Sequence, residues 1–156
     1  MRKIYDHQKT KFNLAELEGV EAALERGEMP QMSVSEIKCS FEGIKSSSYF
    51  LKMGGRQSLS MHATSFGDDG ICGYLHSIEK IYIVGWGLNI RILCHEVAHH
   101  LVCQIAIDIP DHGPTFSAIY LSLLERFGSQ ALAAEMYGSF IENEIEIDQK
   151  LINFKF

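Results

Sequence analysis

The stretch from Ile90 to Ile107 is apolar on nearly every side of a helix, through Ile90, Ile92, Leu93, Val97, Ala98, Leu101, Val102, Ile105 and Ala106. A helix of that kind is buried, not laid on a surface. Yet its middle reads Cys94-His95-Glu96-Val97-Ala98-His99-His100. Two imidazoles and a carboxylate inside a buried helix cost free energy unless something partners them, and a metal ion partners all three. Positions i and i+4 share a helix face, about 5–6 Å apart at Cβ, so His95 and His99 can reach one ion. Glu96 stands about 100° round the axis from His95, beside the ion and not on it, where a base can take a proton from water.

A catalytic zinc usually keeps three protein ligands and one open position, so a third ligand is expected. Pro110 stops the helix, and Asp111-His112-Gly113-Pro114-Thr115-Phe116 follows. His112 stands past a turn at the mouth of a second helix, which Pro114 can start at its first position. It leads as third ligand, with Asp108, Asp111 and Glu125 as rivals. Asp108 and Asp111 could instead orient a ligand imidazole. The metzincin pattern does not apply, because the places of its glycine and third histidine hold Val102 and Ile105.

His95-Glu96-Val97-Ala98-His99, followed by His112-Gly113-Pro114-Thr115-Phe116, resembles the SprT-like (Spartan-type) zinc metallopeptidase domain. Within that group the chain is most similar to small bacterial and phage metallohydrolases, through Arg126-Phe127-Gly128-Ser129-Gln130-Ala131 as well. The resemblance is specific over about residues 93–140. It implies a zincin-like fold, Zn2+ as cofactor, His95, His99 and His112 as ligands, and Glu96 as general base. DNA-directed members usually carry an added zinc ribbon or basic tail, and this sequence shows neither, so a DNA-linked role is not expected; the substrate the resemblance implies is a protein or peptide.

A chain of 156 residues is expected to form a single domain, residues 1–156, that buries roughly 68–70% of its unfolded surface. A net charge of −6 gives no support to nucleic-acid binding, which usually shows as a basic surface. Cys39, Cys72, Cys94 and Cys103 form no C-x-x-C pair, so they read as reduced thiols in a cytoplasmic protein. Cys94 and Cys103 read as core fillers before ligands. Met1 to Phe12 lacks the apolar centre of a signal peptide, and no run of about 18 apolar residues spans a membrane. Oligomeric state is not legible.

The expected fold class is α+β: an N-terminal helix, a small, mostly antiparallel sheet of three or four strands, the metal helix and two C-terminal helices. Asn13 with Glu16 has the form of a capping box. Leu14, Leu17, Val20 and Leu24 then predict an amphipathic helix over 14–26, behind the sheet, with Gly27 as terminator. Alternation at Ile37, Cys39 and Phe41 predicts a strand, as do Tyr49 to Met53, Ser58 to Ala63, and Lys80 to Val84. Gly67 to Gly70 reads as a turn. The last strand could line a cleft rim, where an extended peptide adds alongside it, or be an ordinary core strand. Asn89 is the expected N-cap of the metal helix. Phe116, Ile119, Tyr120, Leu123, Leu124 and Phe127 predict an amphipathic helix ended by Gly128, and Ser129 caps another. The tail, 144–156, is expected to dock on the sheet or on another subunit. Tyr82, Tyr120 and Tyr137 are candidates to assist at an oxyanion, and His62 and His76 are candidate polar residues, more readily structural.

Overall fold

The computed structural model describes residues 11–21, 30–67, 70–105 and 111–152. The fold is α+β and mostly helical, with a three-stranded mixed sheet. The chain divides into two compact units, one of Pro30–Ile107 and one of Met1–Met29 with Asp108–Phe156. Among the described residues no helix is long and apolar enough to cross a membrane.

In the Pro30–Ile107 unit, residues 11–21 being α1 of the other, the chain enters α2 (Val34–Ser46) and α3 (Ser48–Lys52). Strands were expected over both segments, and both are helical. In α2 the alternation at Ile37, Cys39 and Phe41 coexists with a helical stripe, Ile37, Phe41 and Ile44, and those three are the buried residues. The capping box decides the contest: Ser33 Oγ accepts from the Glu36 amide at 3.2 Å, and the Glu36 carboxylate accepts from the Ser33 amide at 2.7 Å. Ser47 caps α3 in the same way, accepting from the Phe50 amide at 3.1 Å, and only Phe50 of that short helix is buried.

The sheet contains β1 (Ser60–Ala63), β2 (Gly73–Leu75) and β3 (Lys80–Ile83), in the order β1-β3-β2. β3 pairs parallel with β1 and antiparallel with β2, so the sheet is mixed where a mostly antiparallel one was expected. The cause is topological. The chain leaving β1 passes to the far side of β3 before forming β2, so β3 returns between them in the direction of β1. β3 is therefore the central strand, and the cleft-rim reading gives way to the core one. Ile81 and Ile83 are fully buried. Tyr74, opposite Ile81, lies on the same face, whereas Lys80 and Tyr82 lie on the other with Ser60 and His62. A turn at Gly67 and Gly70 closes with a 2.8 Å backbone bond; Asp68 and Asp69 lie outside the described residues.

A 3₁₀ turn, Gly85–Gly87, leads into α4 (Ile90–Ile105). Asn89 caps it as expected, Oδ1 accepting from the Ile92 amide at 3.0 Å. Nine residues of α4 are buried, on nearly every side of the helix.

The other unit holds α1, α5 (Pro114–Leu123), a π turn (Leu124–Gly128) and α6 (Gln130–Glu142). Lys11 and Phe12 are already helical, so Asn13 is inside α1 and does not cap it. Its buried face is Phe12, Ala15 and Gly19, while Leu14 and Leu17 are 51% and 54% exposed. Small residues face inward because α6 comes close: a Cβ on Gly19 would stand 2.9 Å from Met136 Sδ, and Ser139 donates to the Ala15 carbonyl across 2.5 Å. α1 thus packs on helices of its own unit; Leu24 and Gly27 lie outside the described residues. α5 is buried all round from Phe116 to Leu123, against the expected amphipathic pattern, and the segment to Gly128 widens into the π turn. Ser129 caps α6, accepting from the Leu132 amide at 3.0 Å. In the described part of the tail the Asp148 amide donates to the Pro114 carbonyl at 3.1 Å; residues 153–156 lie outside the described residues.

Candidate metal centre

The Asn89 cap sets the start of α4, and the helical repeat then places His95 and His99 on one face. Their Nε2 atoms stand 3.2 Å apart, with ring centroids at 4.9 Å and planes at 67°. Two nitrogens each about 2.0–2.1 Å from a tetrahedral zinc lie about 3.3 Å from one another, so the pair fits two corners of such a site. Glu96 follows His95 on the helix and is 6% exposed. Its carboxylate therefore sits where water has little power to screen charge, an environment suited to proton transfer.

His112 belongs to the other unit, where it precedes the Gly113 cap of α5. Phe12 stacks on its ring at 4.7 Å and 26°, and Phe116 meets it edge-on at 4.7 Å and 76°. These two rings fix the imidazole plane. Of the rival ligands, Asp111 is exposed and Glu125 is half-buried in the π turn, while Asp108 lies outside the described residues. Cys94 is fully buried, and burial pushes its thiol pKa far up, so it remains a protonated core filler. Cys103 is half-buried on the last turns of α4.

The tyrosines separate by location. Tyr120 is fully buried between Phe12, Phe116 and Phe140. Tyr137 is half-buried on α6. Tyr82 lies on the sheet face opposite Tyr74, with the Lys80 ammonium 5.2 Å from its ring centroid. The α4 helix lies on the Tyr74 face, so Tyr82 points away from it. His62 is exposed and sits 6.0 Å from the Tyr82 ring, as a surface residue of β1.

The residue that sequence reasoning missed is His100. It is fully buried, and its Nε2 accepts from the Arg56 amide at 3.1 Å. A neutral ring with an accepting Nε2 carries its hydrogen on Nδ1. Nδ1 lies 3.0 Å from Tyr74 Oη and therefore donates to it, leaving the phenol hydrogen for His76 Nδ1 at 3.4 Å. Phe50 stacks on the ring at 5.8 Å and 11°. Burial lowers the His100 pKa to about 4, so the ring is neutral at physiological pH, and burial raises the Tyr74 phenol to about 12. The doubled histidine at the end of the motif was the available signal, but nothing in spacing alone distinguishes a buried anchor from a ligand.

Arg56 is tied down in turn. Its guanidinium meets the Glu79 carboxylate at 3.0 Å, which also accepts from Ser58 Oγ. Glu79 holds a left-handed backbone, φ 46°, between a 3₁₀ turn and β3. No family model, curated protein or solved structure matches this chain.

Proposed function

We propose that the chain is a zinc-dependent metallopeptidase of SprT-like type, in which His95, His99 and His112 hold Zn2+ and Glu96 is the general base. The observation that carries this reading is the 3.2 Å separation of the His95 and His99 Nε2 atoms on one face of α4. The donor set also suits the ion: each of the three half-buried imidazoles offers one nitrogen, and borderline-soft zinc takes nitrogen ligands readily. When bound, zinc supplies Lewis acidity that lowers the pKa of water from 15.7 towards about 7 and polarises a carbonyl.

The chain's own residues then do the proton work. Glu96, one residue after a ligand and nearly excluded from solvent, takes a proton from the attacking water and returns it to the leaving amine. A protein or peptide is the substrate. All four cysteines are outside disulfides, which fits a reducing cytoplasm.

The test is a pair of variants. Glu96→Gln keeps the metal and the fold while losing hydrolysis of a broad peptide library; His95→Ala and His99→Ala lose the metal. Glu96→Gln cleaving as fast as the parent would end the general-base assignment. Hydrolysis of amides or phosphoesters with no peptide cleavage would redirect the reading to a different metallohydrolase. Metal without any reaction, with unfolding on chelation, would make the ion structural.

A further inference from the structure

We propose that Tyr74 is a positioning residue of the metal site, holding the rotation of α4 through His100 so that His95 and His99 keep a common direction. The proposal rests on the metal reading above and adds a residue to it. His100 adjoins His99 on α4, and its ring is held from three sides by three separate elements. The Arg56 amide reaches Nε2 at 3.1 Å, Tyr74 of β2 accepts from Nδ1 at 3.0 Å, and Phe50 of α3 covers one face. The two bonds lie on opposite edges of the imidazole, so together they fix its plane and its direction.

Rotation is the sensitive coordinate. A turn of about 20° around a helix axis moves an imidazole nitrogen roughly 6 Å from that axis by about 2 Å, well beyond the roughly 0.5 Å tolerance of a working site. The apolar residues that surround α4 hold it by close packing, but a single Ile, Leu or Val contact has no preferred direction. Directed bonds to His100 supply what they lack. The anchor is itself anchored, because Arg56 binds Glu79 and Tyr74 is held in β2 by its pairing with Ile81 of β3.

Cobalt(II), which absorbs visibly when tetrahedral, is the probe. Tyr74→Phe keeps the ring and removes only the oxygen that receives the His100 Nδ1–H. Ile37→Val, a truncation in α2 of the same unit, serves as a control for loss of stability without loss of the bond. Tyr74→Phe is expected to bind cobalt about tenfold more weakly than the parent, with an altered visible spectrum, the scale on which an orienting partner usually acts. Ile37→Val is expected to bind it like the parent at a similarly lowered Tm. Should Tyr74→Phe fail to fold, His100→Met, whose thioether accepts weakly and donates nothing, removes the bond to Tyr74 and carries the same expectation. Parent-like affinity and spectrum in the folded variant would overturn the positioning role and leave the metal reading standing. A parent protein that takes up no cobalt would remove both.

Discussion

The Arg56 amide donates to Nε2 of His100 across 3.1 Å, and this bond sets which nitrogen of a fully buried imidazole carries the hydrogen. Replacing His100 by Phe keeps the stack on Phe50 but leaves the Arg56 amide without its acceptor and Tyr74 without its donor. A buried group stripped of its partner costs about 1–3 kcal/mol. Urea denaturation of the apo protein checks this: the midpoint is expected to fall with the m-value unchanged, and an unchanged midpoint would show the bonds to be worth nothing net.

Gly87, two residues before the Asn89 cap, is required by a close approach and not by its backbone angles. A Cβ there would run into Cys72 Sγ, which also accepts from the Val84 amide at 3.4 Å. Gly87→Ala is expected to cost about 1–3 kcal/mol through overpacking. The Gly87→Ala, Cys72→Ala double variant is expected to recover part of that loss, because the second change removes the atom in the way. Thermal unfolding of the four proteins of the cycle gives the coupling; strictly additive losses would mean the clash is elsewhere.

Glu79 combines an ion pair with a left-handed backbone. Ala and Gly at this position both lose the bonds to Arg56 and Ser58, but Gly accepts φ 46° freely. Glu79→Gly is therefore expected to be more stable than Glu79→Ala by about 1 kcal/mol, by equilibrium unfolding. The reverse order would show that the turn relaxes out of the left-handed region when the carboxylate is gone.

Burial raises the Tyr74 phenol to about 12 from an ordinary value of 10.0, so folding favours its neutral form. The stability that follows is fully present below pH 10, the unfolded value, and is lost as pH rises through the folded value near 12. Tm measured between pH 9 and 12 is expected to fall more steeply in the parent than in Tyr74→Phe, where this ionisation is absent. Parallel curves would show that the phenol ionises as easily in the folded state as in the unfolded one.

Much of this was legible where one signal had no competitor. Asn89 and Ser129 read as caps and are caps, and the apolar run from Ile90 is a buried helix. The failures came where two periods overlapped or where size mattered more than hydropathy. Ile37, Cys39 and Phe41 satisfy a strand, but Ile37, Phe41 and Ile44 satisfy a helix, and the Ser33–Glu36 box tips the balance. Leu14 and Leu17 look like a core stripe, yet α1 turns Ala15 and Gly19 inward because only small side chains fit against Met136 and Ser139. β2 has three residues, one of them glycine, too few for alternation to register. In the candidate site, the placement of His95 and His99 on one face of α4 was visible from spacing. The role of His100 was not, since its partners, the Arg56 amide and Tyr74, are far away in sequence and reach it only through tertiary structure.

In the proposed metal site three imidazoles, His95, His99 and His112, hold one divalent ion. The most direct test of this assignment is elemental analysis of the purified protein, prepared without chelators, for the parent and for the His95→Ala, His99→Ala, His112→Ala and Glu96→Gln variants. Close to one zinc per chain is expected in the parent and in Glu96→Gln, with a loss of zinc in each histidine variant. A parent free of zinc after zinc-replete expression, or a His112→Ala protein that retains a full equivalent, would contradict the assignment.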